Sequence, residues 1–145
     1  MGEGSPSRDI VSSLVIFDTS VFIDHLRTGC HQQRIASFSG IIRMSSVVLS
    51  ELWRGATRPA EREFVRTLER NHRILTPTEN NWLESGRLLQ QIRVDLGFSS
   101  DKLRNLHFDV LIALTARSHG ARLITSDRAD FEIINNYRTF QLEVW

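Results

Sequence analysis

The sequence predicts an α/β fold, a three-layer α/β/α sandwich around a parallel sheet of about five strands. Three observations lead there. Short apolar runs alternate along the chain with longer stretches of helical periodicity, the pattern of strands returned by crossover helices. The first run, Leu14-Val15-Ile16-Phe17, is apolar at every position, as a strand covered on both faces must be. It passes directly into Asp18-Thr19-Ser20 and then into helical sequence. That junction sets a carboxylate at the carboxyl edge of the sheet, where open α/β folds bind their ligands.

Taken in order, the first strand is followed by a helix over 19–27, stopped near Thr28-Gly29. A second short helix spans 31–38 and ends at Ser39-Gly40. Ile41-Ile42-Arg43-Met44-Ser45 reads as the second strand, and Ser46 opens a helix reaching about Thr57. Pro59 breaks it, and 60–71 forms another helix with charged faces. Residues 73–76 are the third strand, punctuated by Pro77. Thr78, with Asn81 three positions on, opens a long amphipathic helix to about Leu96. Its Trp82, Leu83, Leu88, Leu89 and Ile92 follow helical spacing. Residues 97–104 read as irregular, and 106–118 as a strong helix closed by His119-Gly120. Residues 122–125 form the fourth strand, 130–134 a short turn of helix, and 139–144 a last strand. Each crossover then holds two helical runs, whereas a parallel return needs an odd number of passes. One run of each pair must then lie sideways, or a loop must make the trip, as 97–106 could, since ten extended residues reach roughly 33 Å.

With 145 residues, the chain is expected to be one domain over 13–145 with a flexible leader over 1–12. That leader lacks the apolar centre of a signal peptide, and no apolar run approaches transmembrane length. A composition 41% apolar and 24% charged belongs to a globular protein, not a disordered tail. The single cysteine, Cys30, excludes an internal disulfide and fits a reducing cytoplasm. The formal net charge of +1 changes meaning once partitioned. With four of the 17 acidic groups set aside as ligands, 13 remain against 18 basic ones, a surplus that suits a polyanionic partner.

Those four acids are Asp18, Glu51, Asp109 and Asp127. Asp18 ends the first strand, Glu51 lies early in the helix after the second, and Asp127 follows the fourth. Asp109 falls in the first turn of the helix expected from 106. All four therefore point to one sheet edge, with Asp18 and Asp127 flanking the topological switch point if the first and fourth strands are neighbours. Carboxylates crowded together need a compensating charge. An oxygen-only donor set suits a hard divalent cation, Mg²⁺ or Mn²⁺, and such centres hydrolyse phosphodiesters.

Four stretches carry a family resemblance. They are Val15-Ile16-Phe17-Asp18-Thr19-Ser20-Val21-Phe22-Ile23, Ser46-Val47-Val48-Leu49-Ser50-Glu51-Leu52, Phe108-Asp109-Val110-Leu111-Ile112-Ala113-Leu114-Thr115-Ala116 and Leu123-Ile124-Thr125-Ser126-Asp127-Arg128-Ala129-Asp130-Phe131. In this order the chain resembles a PIN-domain ribonuclease, of the kind that forms the toxin half of a VapBC-type toxin–antitoxin pair. The resemblance implies a five-stranded parallel sheet, Mg²⁺- or Mn²⁺-dependent cutting of RNA, a homodimer, and a small antitoxin protein whose tail covers the acidic site. It implies Asp18, Glu51, Asp109 and Asp127 as the catalytic acids. Asp18, Asp109 and Asp127 would bind metal, with Asp130 sharing or replacing the duty of Asp127. Thr19, Thr125 and Ser126 would be supporting hydroxyls.

Plainer roles compete. Asp18 alone would serve as a helix cap, Asp109 as a first-turn acid favoured by the helix dipole, and Asp127 as a turn residue. His107 is expected to serve the helix start, and Trp53, Trp82 and Trp145 to make core or dimer contacts. Two other functions compete with the nuclease. One is a PIN-fold module that binds RNA or protein without chemistry. The other is a phosphate-transfer domain with a nucleophilic aspartate after its first strand. That type needs a lysine after a later strand, and the only lysine, Lys102, follows none.

Overall fold

The structure is a computed structural model and describes residues 13–145; the leader expected over 1–12 lies outside the described residues. Strand β1 (Leu14–Phe17) leads into helices α1 (Thr19–Thr28) and α2 (Gln32–Ala36), then β2 (Ile41–Ser45) and α3 (Ser46–Gly55). Helix α4 (Pro59–Asn71), strand β3 (Ile74–Leu75), and helices α5 (Glu79–Leu96) and α6 (Ser100–Ser118) follow. Strand β4 (Arg122–Thr125), helix α7 (Arg128–Tyr137) and strand β5 (Gln141–Val144) complete the chain. The five strands are parallel and lie in the order β3-β2-β1-β4-β5. The chain moves outward through β2 and β3, then returns to the other side of β1, so the switch point lies between β1 and β4.

Right-handed crossovers place α1–α4 on one face and α5–α7 on the other, and the packing of α1 on α3, α3 on α4, α5 on α6 and α6 on α7 agrees. Covered on both sides, β1 buries Val15, Ile16 and Phe17, and β4 buries Leu123 and Ile124. Helix α6 is buried on all sides from Val110 to Ala116. A helix apolar all round belongs in a core, and Asp109 is the residue just before that stretch.

Side chains fix where the helices begin. Ser45 Oγ accepts from the Val47 and Val48 N–H groups, at 3.1 and 3.2 Å, so α3 starts with no intervening loop. Thr78 and Asn81 exchange side-chain-to-backbone bonds, each 3.0 Å, at the start of α5. Gly97 ends α5 in the left-handed region at φ 69°, a conformation glycine adopts without Cβ strain.

Five expectations need correction. Helix α6 starts at Ser100, with Ser99 Oγ accepting from Lys102 N at 3.1 Å, so residues 97–104 are not irregular and make no extended return. Only 97–99 separates α5 from α6, and Asn81 near the start of α5 bonds Ser118 at the end of α6. The two helices are therefore antiparallel. Asp109 consequently lies in the third turn of α6, not the first, and the helix-dipole role lapses. On α5 the buried residues are Asn81, Ser85, Leu88 and Ile92, whereas Trp82 and Leu83 are exposed. His107 is mid-helix and bonds Ser85 Oγ at 3.1 Å, so it does not serve a helix start. Helix α7 is also longer than expected, placing Asp130 in its first turn.

Gly40 marks a close approach between the segments entering β1 and β2. A Cβ there would lie 2.4 Å from Ser13 O and 2.7 Å from the Phe38 ring, while Ile41 N donates to that same Ser13 O at 2.7 Å. Gly40→Ala is expected to cost about 1–3 kcal/mol, the usual range for overpacking, read as a lower urea midpoint at unchanged m-value. An unchanged midpoint would contradict the close approach.

Candidate metal centre

The site grows from the ends of β1 and β4. Asp18 N donates to Ile124 O at 2.8 Å, extending the parallel ladder one residue past β1. Asp18 then accepts from Ser20 Oγ at 2.7 Å and from Thr125 Oγ1 at 2.9 Å, both on Oδ2. Each hydroxyl is itself an acceptor: Ser126 N donates to Ser20 Oγ at 3.0 Å and Asp127 N to Thr125 Oγ1 at 2.9 Å. Two backbone N–H groups of the β4 loop thus reach one carboxylate oxygen through two hydroxyls. This relay fixes the loop carrying Asp127 against the acid that ends β1. Asp18 also caps α1 through Ser20 N, at 3.4 Å, so capping and site duty coexist in one residue. Burial raises the Asp18 pKa, and the Ser20 and Thr125 bonds oppose that rise.

Glu51 projects from the second turn of α3, where Thr19 Oγ1 donates to its Oε1 at 2.6 Å. Burial raises its pKa, the Thr19 bond opposes the rise, Asp18 adds to it, and Arg54 counters it. Asp109 is half-buried and has no hydrogen-bond or ion-pair partner among the described residues. Burial, followed by the charges of Asp18, Asp130, Glu51 and Asp127, pushes its pKa up to about 8. Carboxylate oxygens of Asp109, Asp127 and Asp130 lie within 4.8 Å of one another. Asp127 is exposed at the end of the β4 loop, and Asp130 is half-buried in the first turn of α7.

The four acids expected at one edge therefore meet electrostatically at Asp109, on which Asp18, Glu51 and Asp127 all act, and Asp130 joins them. Asp109, Asp127 and Asp130 form the tight cluster; Asp18 and Glu51 stand beside it, tied to hydroxyls. Of the expected supporting hydroxyls, Thr19 holds Glu51 and Thr125 holds Asp18, while Ser126 faces His31 Nε2 at 3.0 Å.

Sequence reasoning missed three residues here. Ser20, which donates to Asp18 Oδ2, is given no site role by the sequence. His31, buried against Trp145 with ring centroids 5.6 Å apart, carries no spacing signal. Lys102 was set aside because it follows no strand, yet α6 begins early enough to bring its Nζ to 2.9 Å from Asp130 Oδ1.

The donor set fits a hard divalent cation. It is oxygen only, it is open to solvent at Asp127, and Asp109 lacks any countercharge of its own. A cleft of about 230 Å³ opens beside Glu51, lined by Ile23, Leu26, Leu52 and Val65 and flanked by Arg27.

Residues 15–136 match the family model described as the PIN domain. A comparison with curated protein sequences found no match. Among solved structures, the chain is similar to one in DNA-bound VapBC from Salmonella typhimurium, at 19% identity and a TM-score of 0.68, covering 94% of this chain and 99% of that one. It is similar to a chain of VapBC2 from Rickettsia felis bound to a promoter DNA fragment, at 18% identity, TM-score 0.66, and 91% and 98% coverage. A chain of VapBC-1 from nontypeable Haemophilus influenzae matches at 20% identity and TM-score 0.66, with 91% and 98% coverage.

Proposed function

From the premise that the chain belongs to the PIN-domain family, we propose that it is a divalent-metal-dependent endoribonuclease and the toxin of a toxin–antitoxin pair. The observation that carries this reading is the meeting of Asp109, Asp127 and Asp130 within 4.8 Å beside Asp18, at the switch point of the sheet. A pocket of oxygen ligands at that edge fits Mg²⁺ or Mn²⁺ better than any other use of these groups.

Asp109 and Asp127 hold the ion, Asp18 adds its carboxylate, and Asp130 stands next to them. When bound, such an ion supplies Lewis acidity toward phosphate oxygens and lowers the pKa of water. Glu51, anchored by Thr19, orients the attacking water and takes its proton; a carboxylate with a raised pKa is suited to that work. Arg54, close enough to act on Glu51, and Arg27, on the neighbouring cleft, hold the phosphate backbone as bidentate donors. The partners proposed are RNA as substrate, an antitoxin protein that covers the acids, and a second copy of the chain in a homodimer. VapBC complexes among the similar structures support the antitoxin. No described helix is long and apolar enough to cross a membrane, and exposed Cys30 is the only cysteine, which supports a place in the reducing cytoplasm.

The test is cleavage of an RNA pool with Mg²⁺, Mn²⁺ or EDTA, by the wild type and by Asp18→Asn. Cleavage with either metal, none with EDTA, and a loss of at least about 100-fold in the variant are expected. Equal activity under all conditions would end the nuclease reading. Metal binding without cleavage of any RNA would support the non-catalytic module instead.

A further inference from the structure

Lys102 is the chain's only lysine and lies in the first turn of α6. Its ammonium is 2.9 Å from Asp130 Oδ1, and Asp127 and Asp109 act on it as well. It therefore faces every carboxylate of the cluster. The Phe98 ring, with its centroid 5.6 Å from Nζ, supports the ammonium from another side. No other cation pairs with Asp109, Asp127 or Asp130 among the described residues.

We propose that Lys102 takes the place of a second divalent cation, so that this acidic site binds one ion where its ligand count would allow two. The proposal rests on the metal reading above. Asp109 and Asp127 have no ion-pair partner among the described residues and, with Asp18 beyond them, make the ion-binding side. Asp130 is already engaged, and the lysine holding it offers three donors and no acceptor. A second dication at Asp130 would have to approach within contact distance of a positive charge. Lys102 thus divides the cluster: its Asp130 side is neutralised by the chain itself, and its Asp109–Asp127 side is left for metal. As a positioning residue it also holds one of the two Asp130 oxygens, Oδ1, in an ion pair.

Counting bound Mn²⁺ tests this, by calorimetric titration together with the electron paramagnetic resonance signal of free Mn²⁺. The wild type is expected to bind one ion per chain and Lys102→Met two. Lys102→Arg, which keeps the charge, should bind one, and Asp130→Asn placed in the Lys102→Met chain should return the count to one. The expected change is a gained ion, which a misfolded variant does not produce. Two ions in the wild type, or one in Lys102→Met, overturns the role of the lysine and leaves the metal reading standing. No ion in either protein overturns the metal reading and this proposal together.

Discussion

Asp109→Asn is expected to abolish divalent-cation binding and RNA cleavage, while making the metal-free protein more stable above neutral pH. The opposite signs come from one cause. In the folded chain the Asp109 pKa stands at about 8, against an ordinary 3.8, because burial and the neighbouring acids oppose its ionisation. The native protein therefore holds this proton at pH values where the unfolded chain has released it. A group whose pKa rises on folding contributes stability that is whole below about pH 4 and is lost as pH climbs to about 8.

Asparagine has no proton to lose. The difference in stability between Asp109→Asn and wild type should therefore grow across that window, to the order of a few kcal/mol at pH 8, since each pKa unit is worth about 1.4 kcal/mol and solvent access reduces the sum. Metal works against that ranking. Binding of Mn²⁺ to the native state alone adds about 2.7 kcal/mol at one hundred times Kd, and only the wild type should gain it. Thermal melts at pH 6 and pH 8, with and without millimolar Mn²⁺, read all of this. A variant no more stable than wild type at pH 8 without metal, or stabilised equally by metal, contradicts the site.

Phe17→Ala is expected to cost about 4–5 kcal/mol, at the upper end of large-to-small core replacements. Phe17 is 1% exposed and packs against three aromatic rings. Its centroid lies 5.8 Å from Phe22, 6.0 Å from Phe38 and 5.3 Å from Trp145, and each such pair adds roughly 0.5–1.5 kcal/mol beyond its buried area. The loss approaches the whole stability of a small domain. It also falls next to Asp18, so any protein that remains folded should lose the β1 end that fixes that carboxylate. Phe17→Leu, which keeps most of the volume, should cost less than half as much. Urea titration of both variants checks it; a loss under about 1 kcal/mol for the alanine variant would mean the aromatic cluster is not a packed core.

Strands β1, β2 and β4 are legible because what makes them is local: apolar, β-branched runs, ended in β1 and β2 by a helix-capping side chain, Asp18 and Ser45. The carboxylates were placed for the same reason, since Asp18 and Asp127 follow such strands directly. Helix α5 misled because two of its four buried positions, Asn81 and Ser85, are polar and satisfied by Ser118 and His107 on α6. Hydropathy counts Trp82 and Leu83 instead, and neither faces the core. The start of α6 is hard to read because its first turns, around Asp101, Lys102 and Arg104, are charged and offer a single apolar residue, Leu103, before Leu106. Its one local sign is Ser99, a cap on Lys102 N. Lys102 itself is illegible in sequence, because its role depends on how the first turn of α6 meets the first turn of α7.

Crystals grown with Mn²⁺ and measured at its absorption edge address the centre most directly. The expected anomalous map has one peak between the carboxylates of Asp109 and Asp127, at about 2.0–2.2 Å from their oxygens, with Lys102 still on Asp130. No peak at that edge of the sheet, or a peak elsewhere with Asp109 and Asp127 turned away from it, contradicts the metal centre and the chemistry built on it.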